Sequence, residues 1–265
     1  MSEALPIDAV PAAPAGRMNG KVCLVTGGGS GIGRAAAFRM AEEGAAAVLI
    51  AGRREGEIES AAAECRARGA QALAIRTDVT CEDEVERLVG TALDRHGRLD
   101  AVFNNAGVQE RRAPLEAQEK AVYDEVFDGN VRSVFYCLRH QLPAMFARGQ
   151  GRIVVNASVS GVRNPNVGLS LYSASKAAVI SLVRSAAMEA APRGVSINAV
   201  APGRVVTDMM LRSGVGDMAS VAAGLPLKRM GKPEEVAEAV VWLLSDAASY
   251  VVGHVLATDG GFLAS

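Results

Sequence analysis

Tyr172 and Lys176 stand four residues apart in "YSASK", a spacing that puts both side chains on one face of a helix. A phenol ionises at about pH 10, too high for a useful base near neutrality. An ammonium about 5 Å away, at an effective dielectric of about 20, favours the phenolate by about 3 kcal/mol, roughly a hundredfold. The positive end of the helix acts in the same direction. Tyr172 is therefore a candidate proton donor to a carbonyl, or base toward an alcohol. A Tyr and a Lys at this spacing also arise by chance in many helices, so the pair needs a third component. Ser158, at the end of the apolar run "IVVNAS", supplies one: its hydroxyl can donate a hydrogen bond to an oxygen that gains negative charge. Ser160 is its nearest competitor.

A second constellation lies near the start. "TGGGSGIG", residues 26–33, holds five glycines in eight positions and follows the apolar run "VCLV". Glycines at a strand-to-helix turn let backbone N–H groups approach a phosphate; a merely flexible turn is the other reading. The common dinucleotide pattern G-x-G-x-x-G fits in no frame. About 20 residues on, an acidic side chain would hold a ribose 2′-hydroxyl and a basic one a 2′-phosphate. Here "AAVLIAG" ends at Gly52 and is followed by Arg53 and Arg54, with no carboxylate. Two guanidiniums at that place favour NADP(H) over NAD(H), the alternative being solvated loop arginines.

These groups need elements that hold them together. From Lys21 short apolar runs alternate with amphipathic segments: "KVCLVT", residues 32–43, "AAVLIAG", residues 55–68, "QALAIRTD", and so on through "LDAVFNNAG", residues 120–148, "GRIVVNAS", residues 171–191, "VSINAVAPG" and "HVLATDGG". The runs read as strands buried on both faces and the segments between them as crossover helices. The order predicts an α/β fold, a Rossmann-like doubly wound parallel sheet of about seven strands with helices on both faces, which binds ligands beyond the carboxyl ends of its strands. No composition break divides the chain, so residues 20–265 are expected to form a single domain. Residues 1–19, rich in Pro and Ala without periodicity, are expected to be a mobile tail. Residues 204–224 lack a clear strand and are expected to form a mobile helix and loop beside the substrate. Their Met209, Met210 and Met218 suit either an adaptable apolar lid or the core.

Composition narrows the partners. The 265 residues are 49% hydrophobic with a formal net charge of -1, which leaves no basic excess for a nucleic-acid backbone. Cys23, Cys65, Cys81 and Cys137 form no C-x-x-C pair, and His96, His140 and His254 are dispersed, so no metal site is expected and the thiols are expected to be reduced. No apolar run reaches the roughly 18 residues that span a bilayer, and no cationic leader opens the chain. The expected location is the cytoplasm.

Taken jointly, "TGGGSGIG" (T-G-x-x-x-G-x-G), "NNAG" at residues 104–107, Ser158 and "YSASK" (Y-x-x-x-K) resemble the short-chain dehydrogenases/reductases over about residues 20–262. The resemblance accounts for the glycine spacing, since that family uses G-x-x-x-G-x-G. It implies an NAD(P)-dependent oxidoreductase acting between alcohol and carbonyl, with Ser158, Tyr172, Lys176 and Asn130 as its catalytic set, the last holding a water in a proton relay through the lysine. It implies cofactor contacts from Gly27, Ser30, Gly31, Ile32 and Gly33, from Arg53 and Arg54, from Asp78 and Val79 beside the adenine, and from Asn104, Ala106 and Gly107 passing the ribose. Tyr172 and Lys176 also touch the cofactor, and Pro202, Gly203, Val205 and Thr207 of "PGRVVT" meet the nicotinamide carboxamide, Val205 through its backbone and Thr207 through its hydroxyl. It further implies a homotetramer or homodimer built on the helix of "YSASK" and the one before it. Ser158 and Tyr172 are 14 positions apart, one more than the commoner family spacing, which places an extra residue in the loop between them. The small-molecule carbonyl or alcohol substrate is not legible. Arg111, Arg112 and Arg163 could form a cationic rim for an anionic substrate, although such arginines are more often solvated surface.

Overall fold

The computed structural model describes residues 16–163, 166–212 and 217–265. Seven parallel strands, β1 (Val22–Thr26), β2 (Ala47–Gly52), β3 (Gln71–Arg76), β4 (Ala101–Asn104), β5 (Gly151–Asn156), β6 (Val195–Pro202) and β7 (Val255–Thr258), line up in the order β3-β2-β1-β4-β5-β6-β7. The order reverses direction between β1 and β4, and there a crevice opens at the carboxyl ends. The central strands are rich in Val, Ile, Leu and Ala because both of their faces are covered.

Helices α1 (Gly31–Glu42), α2 (Glu55–Ala67), α3 (Glu82–His96), α4 (Lys120–Phe127), α5 (Ser133–Phe146), α6 (Ser170–Ala190), α7 (Asp208–Arg212), α8 (Met218–Ala223) and α9 (Pro233–Leu244) complete the chain. On one face Cys23 and Val25 of β1 pack with Ala36, Met40, Ile58 and Val240 from α1, α2 and α9. On the other, Val22 and Leu24 pack with Leu88, Leu138 and Val183 from α3, α5 and α6. The period-two alternation of β1 thus feeds both layers of core. Helix α3 carries Glu82, Asp83 and Glu84 in its first turn, Arg95 and His96 in its last, and stops at Gly97 in the left-handed conformation, in accord with the helix dipole and the glycine C-cap.

The structure changes the expected elements at three places. The packed chain begins before Gly20: Met18 is fully buried, its N–H donates to Glu43 O at 3.0 Å, and Arg17 pairs with Glu43 and Glu238. The rest of the expected tail, residues 1–15, lies outside the described residues. The segment expected as one element at residues 120–148 is α4 and α5 joined by a π-turn, Asp128–Arg132, a widening of the kind that recurs at functional sites. Within residues 204–224, α7 and α8 form and Val205 makes a parallel bridge to Gly231.

The thiols of Cys23 and Cys137 are pushed up to about 12 by burial. Among the described residues no three of His, Cys, Asp and Glu gather as a metal site, and no helix is long and apolar enough to cross a membrane.

Candidate active site

A cleft of about 900 Å³ lies beyond the carboxyl ends of the strands, lined by Gly27, Ser30, Gly31, Ile32, Arg53, Arg54, Asp78, Val79, Ala106, Gly107 and Thr207 among others. Gly27 and Gly31 have φ of 64° and 52°, the left-handed region that glycine occupies without cost. A Cβ on Gly33 would lie 2.3 Å from Gly27 O and 2.5 Å from Asn105 Nδ2, so Gly33 serves to press α1 against the turn. The first turn of α1 holds no acidic residue, and its geometrically unpaired N–H groups open toward the cleft.

The turn is pinned from β4, and here the expected residue is corrected. Asn104 is buried and exchanges two 2.9 Å hydrogen bonds with Gln141, so its side chain belongs to the core. Asn105 faces the cleft: its Nδ2 donates to Thr26 O and Gly27 O at 3.2 and 3.1 Å, and its N–H donates to Thr26 Oγ1 at 3.0 Å. As the last residue of β4, Asn104 takes the inward side of the pleat and Asn105 the outward one.

Arg53 is exposed at the end of β2. Arg54 is partly spent, donating to Ser30 Oγ at 3.1 Å and pairing with Glu57 at 2.7 Å. Burial works against the charge on Asp78, but hydrogen bonds from Thr80 and the nearby Arg53 and Arg76 hold its carboxyl below the usual range.

Ser158, Tyr172 and Lys176 come together at the ends of β5 and α6. Ser158 lies beside the phenol and its Oγ accepts from Ser160 N at 3.1 Å; Ser160 Oγ accepts from Asn166 Nδ2 at 2.8 Å. Lys176 is 4% exposed, lies 5.7 Å from the centroid of the Tyr172 ring and donates to Asn156 O at 2.7 Å. The expected electrostatics are reversed. Burial raises the Tyr172 pKa above its ordinary value despite the Ser158 hydroxyl beside it, and Glu110 adds to the rise. Burial also brings Lys176 down to about 8. A dielectric of about 20 left out this desolvation, which disfavours both charged forms.

Asn130 sits in the π-turn with its amide committed. Oδ1 accepts from Val108 N at 2.8 Å, and Nδ2 donates to Val108 O and Ser175 Oγ at 2.9 Å each. The amide thereby fixes the Gly107 turn, where a Cβ would meet Asn130 Oδ1 at 2.8 Å and Lys176 Nζ at 3.5 Å.

In "PGRVVT", Pro202 ends β6, and Gly203 is needed because a Cβ would approach Asp259 Cα to 2.8 Å. The bridge to Gly231 uses Arg204 O and Val206 N, which turns the N–H and C=O of Val205 to the opposite edge. Thr207 lies beside Gly31, and its hydroxyl accepts from Met210 N at 3.2 Å.

Two groups escaped sequence reasoning. Glu110, 6% exposed, accepts from Tyr172 N with both carboxylate oxygens at 3.0 and 3.1 Å, capping α6 from a separate loop. Arg204, read only as part of a cofactor segment, lies within electrostatic reach of the phenol. Of the expected cationic rim, Arg111 lines the cleft, Arg112 donates to Val167 O at 2.7 Å and Arg163 to Ser265 O at 2.7 Å. A second hollow, of about 340 Å³, lies at the opposite ends of the strands. Its charges pair with one another, Lys21 and Arg152 on Asp246 and Arg98 on Asp100, far from this chemistry.

The glycine cradle, the carboxylate-free start of α1 and the cations at the end of β2 fit a dinucleotide with phosphate groups. Fold and site together define an α/β oxidoreductase of the nicotinamide-binding kind. The family model described as Enoyl-(Acyl carrier protein) reductase matches residues 27–263. The chain is 44% identical over 244 residues, 92% of its length and 97% of the relative's, to cis-4-hydroxycyclohexanecarboxylate dehydrogenase of Sinomonas cyclohexanicum. It is 38% identical, over 91% of its length and 97% of the relative's, to the 3-oxoacyl-[acyl-carrier-protein] reductase FabG of Staphylococcus aureus. The crystal structure of levodione reductase superposes with a TM-score of 0.90 at 37% identity, covering 94% of this chain and 99% of that one. The chain belongs to the short-chain dehydrogenase/reductase family, whose members are NAD(P)-dependent oxidoreductases of alcohols and carbonyls.

Proposed function

We propose that the protein is an NADP(H)-dependent reductase of a ketone or aldehyde, the reverse alcohol oxidation being open to the same residues. The observation that carries this reading is the convergence of Ser158 and Tyr172 on the buried Lys176, whose Nζ lies 5.7 Å from the phenol ring and donates to the backbone of Asn156, a residue lining the glycine-lined cleft. When bound, the reduced nicotinamide supplies the hydride that attacks the carbonyl carbon. Tyr172 donates the proton to the carbonyl oxygen, and its raised pKa keeps that proton in place at neutral pH. Ser158 donates a hydrogen bond to the same oxygen as charge builds on it. Lys176, charged below about pH 8, holds the ribose hydroxyls and favours the phenolate that donation leaves behind. Asn130 fixes the turn under that lysine, and the second lone pair of its Oδ1 is free to hold a water behind it.

Gly27, Ser30, Gly31 and Ile32 would hold the pyrophosphate, Asp78 and Val79 the adenine, Ala106 and Gly107 the ribose, and Val205 and Thr207 the carboxamide. Exposed Arg53, with no carboxylate at the end of β2, supports a preference for NADP(H). A homotetramer or homodimer in the cytoplasm remains our reading of its assembly and location, and residues 204–224 our reading of its substrate loop. The test is a panel of ketones, aldehydes and secondary alcohols followed by NAD(P)H absorbance, with an enoyl thioester included. Reduction of carbonyls with NADPH is expected. Reduction of the enoyl thioester alone, or a preference for NADH, would overturn the corresponding part of the proposal.

A further inference from the structure

We infer that the substrate of this site carries a carboxylate, and that Arg204, with Arg112 behind it, binds that carboxylate; the inference rests on the reductase reading above. A polar chain leads from Ser158, beside the phenol, to Arg204. Ser158 Oγ accepts from Ser160 N at 3.1 Å, and Ser160 Oγ accepts from Asn166 Nδ2 at 2.8 Å. Asn166 Oδ1 in turn accepts from Arg204 Nη2. The guanidinium is thus held against the loop that carries Ser158 and Ser160, and its charge reaches the phenol.

Arg112 approaches the same place from the loop after β4. Its Nη1 donates to Val167 O, and its buried Nε has no hydrogen-bond partner. The two cations oppose one another: burial first, and Arg112 second, lower the Arg204 pKa.

What singles out this pair is the missing counter-ion. The other partly buried arginines have carboxylates: Arg17 on Glu43, Arg34 on Glu64, Arg39 on Glu43, Arg98 on Asp100 and Arg152 on Asp246. Among the described residues neither Arg112 nor Arg204 has one. Both oxygens of Glu110 accept from Tyr172 N, and the Ser265 oxygen accepts from Arg163. Two like charges partly withdrawn from water and bonded only to neutral oxygens are unfavourable unless an anion joins them. The cleft wall that carries the glycine turn, Arg53 and Arg54 contains neither residue. A planar carboxylate on the substrate matches the fork of a guanidinium and would orient the carbonyl toward Tyr172.

The experiment compares 4-oxocyclohexanecarboxylate with its methyl ester, using the full chain and saturating NADPH. Wild type should favour the acid by about tenfold or more in kcat/KM, mainly through KM, in keeping with a charge-assisted hydrogen bond. Arg204→Gln should lower the acid-to-ester ratio by about tenfold to a hundredfold, Arg112→Gln by less, and Arg204→Lys should restore part of it. Calorimetric titration of cyclohexanecarboxylate into the NADP⁺ complex reads the subsite without turnover; binding should be lost in Arg204→Gln. Equal kcat/KM for acid and ester, or a ratio unmoved by Arg204→Gln, overturns the inference. Arg204-dependent binding of cyclohexanecarboxylate by an enzyme that reduces neither ketone supports the subsite and overturns the reductase reading instead.

Discussion

Lys176→Met should make the free protein more stable at neutral pH while abolishing its turnover, and the gain should disappear in alkali. The ammonium is 4% exposed, and burial brings its pKa from the ordinary 10.5 to about 8. At about 1.4 kcal/mol per pH unit, holding it charged in the folded chain costs roughly 3 kcal/mol at pH 7. Methionine keeps the length and packing of the side chain without the charge. It also leaves Asn156 O without the 2.7 Å hydrogen bond from Nζ, a loss of about 1 to 3 kcal/mol. The net at pH 7 is a gain of at most about 2 kcal/mol. The sign of the pH dependence is firmer than the net. Between about pH 8 and 10.5 the unfolded wild type binds a proton that the folded one has released, so wild-type stability rises with pH through that window. The advantage of the variant over wild type should therefore shrink by about 3 kcal/mol from pH 7 to above pH 10. Urea unfolding of both proteins at matched concentration measures it, the concentration being fixed because association would shift apparent stability. A difference between variant and wild type that is the same at both pH values would show that Lys176 titrates as an ordinary lysine, and the electrostatic account of the site would fail with it.

Three further outcomes are expected. Tyr172→Phe should keep NADPH affinity, measured by fluorescence titration, while losing turnover by about a hundredfold to ten-thousandfold; substantial residual activity would remove Tyr172 from its role. Arg53→Ala should lower the ratio of kcat/KM for NADPH over NADH by about tenfold to a hundredfold, and a wild type that already favours NADH would contradict the 2′-phosphate assignment. Gly33→Ala places a methyl 2.3 Å from Gly27 O and 2.5 Å from Asn105 Nδ2, so it should weaken NADPH binding by more than about tenfold and lower Tm. Unchanged binding would mean that the turn can move aside.

The architecture was legible because its signals are local. Each of the seven strands coincides with an apolar run long enough to cross the sheet once, and the glycine turn stands where the first such run ends. The site was legible only as far as its motifs extend. "NNAG" could not tell which asparagine lines the cleft, because that depends on whether a distant Gln141 is there to bond Asn104. The π-turn at Asn130 was likewise invisible, since its side-chain partners, Val108 and Ser175, are 22 and 45 positions away. Glu110 lies 62 positions from the helix it caps. The extra residue before Tyr172 did not displace Ser158, because the end of β5 sets its register and the loop after it absorbs the difference.

Burial, which the sequence estimate omitted, governs the chemistry of the cleft. It raises Tyr172, lowers Lys176 and lowers Arg204, so three neighbouring groups are each held away from their charged forms. Elsewhere the fold settles its charges locally, as Arg17 and Arg39 do on Glu43. Unsettled charge confined to one crevice is what a site looks like when a ligand is to complete it. The direction of each perturbation also selects the chemistry. A phenol that holds its proton is ready to give it to a carbonyl oxygen, whereas alcohol oxidation needs the phenolate first. Carbonyl reduction should therefore persist at neutral pH, and alcohol oxidation should gain rate as the pH rises. Rates for one ketone and its alcohol, measured across pH with the same enzyme, decide it: an oxidation rate that does not increase with pH would mean that the phenol is not the group giving and taking the proton.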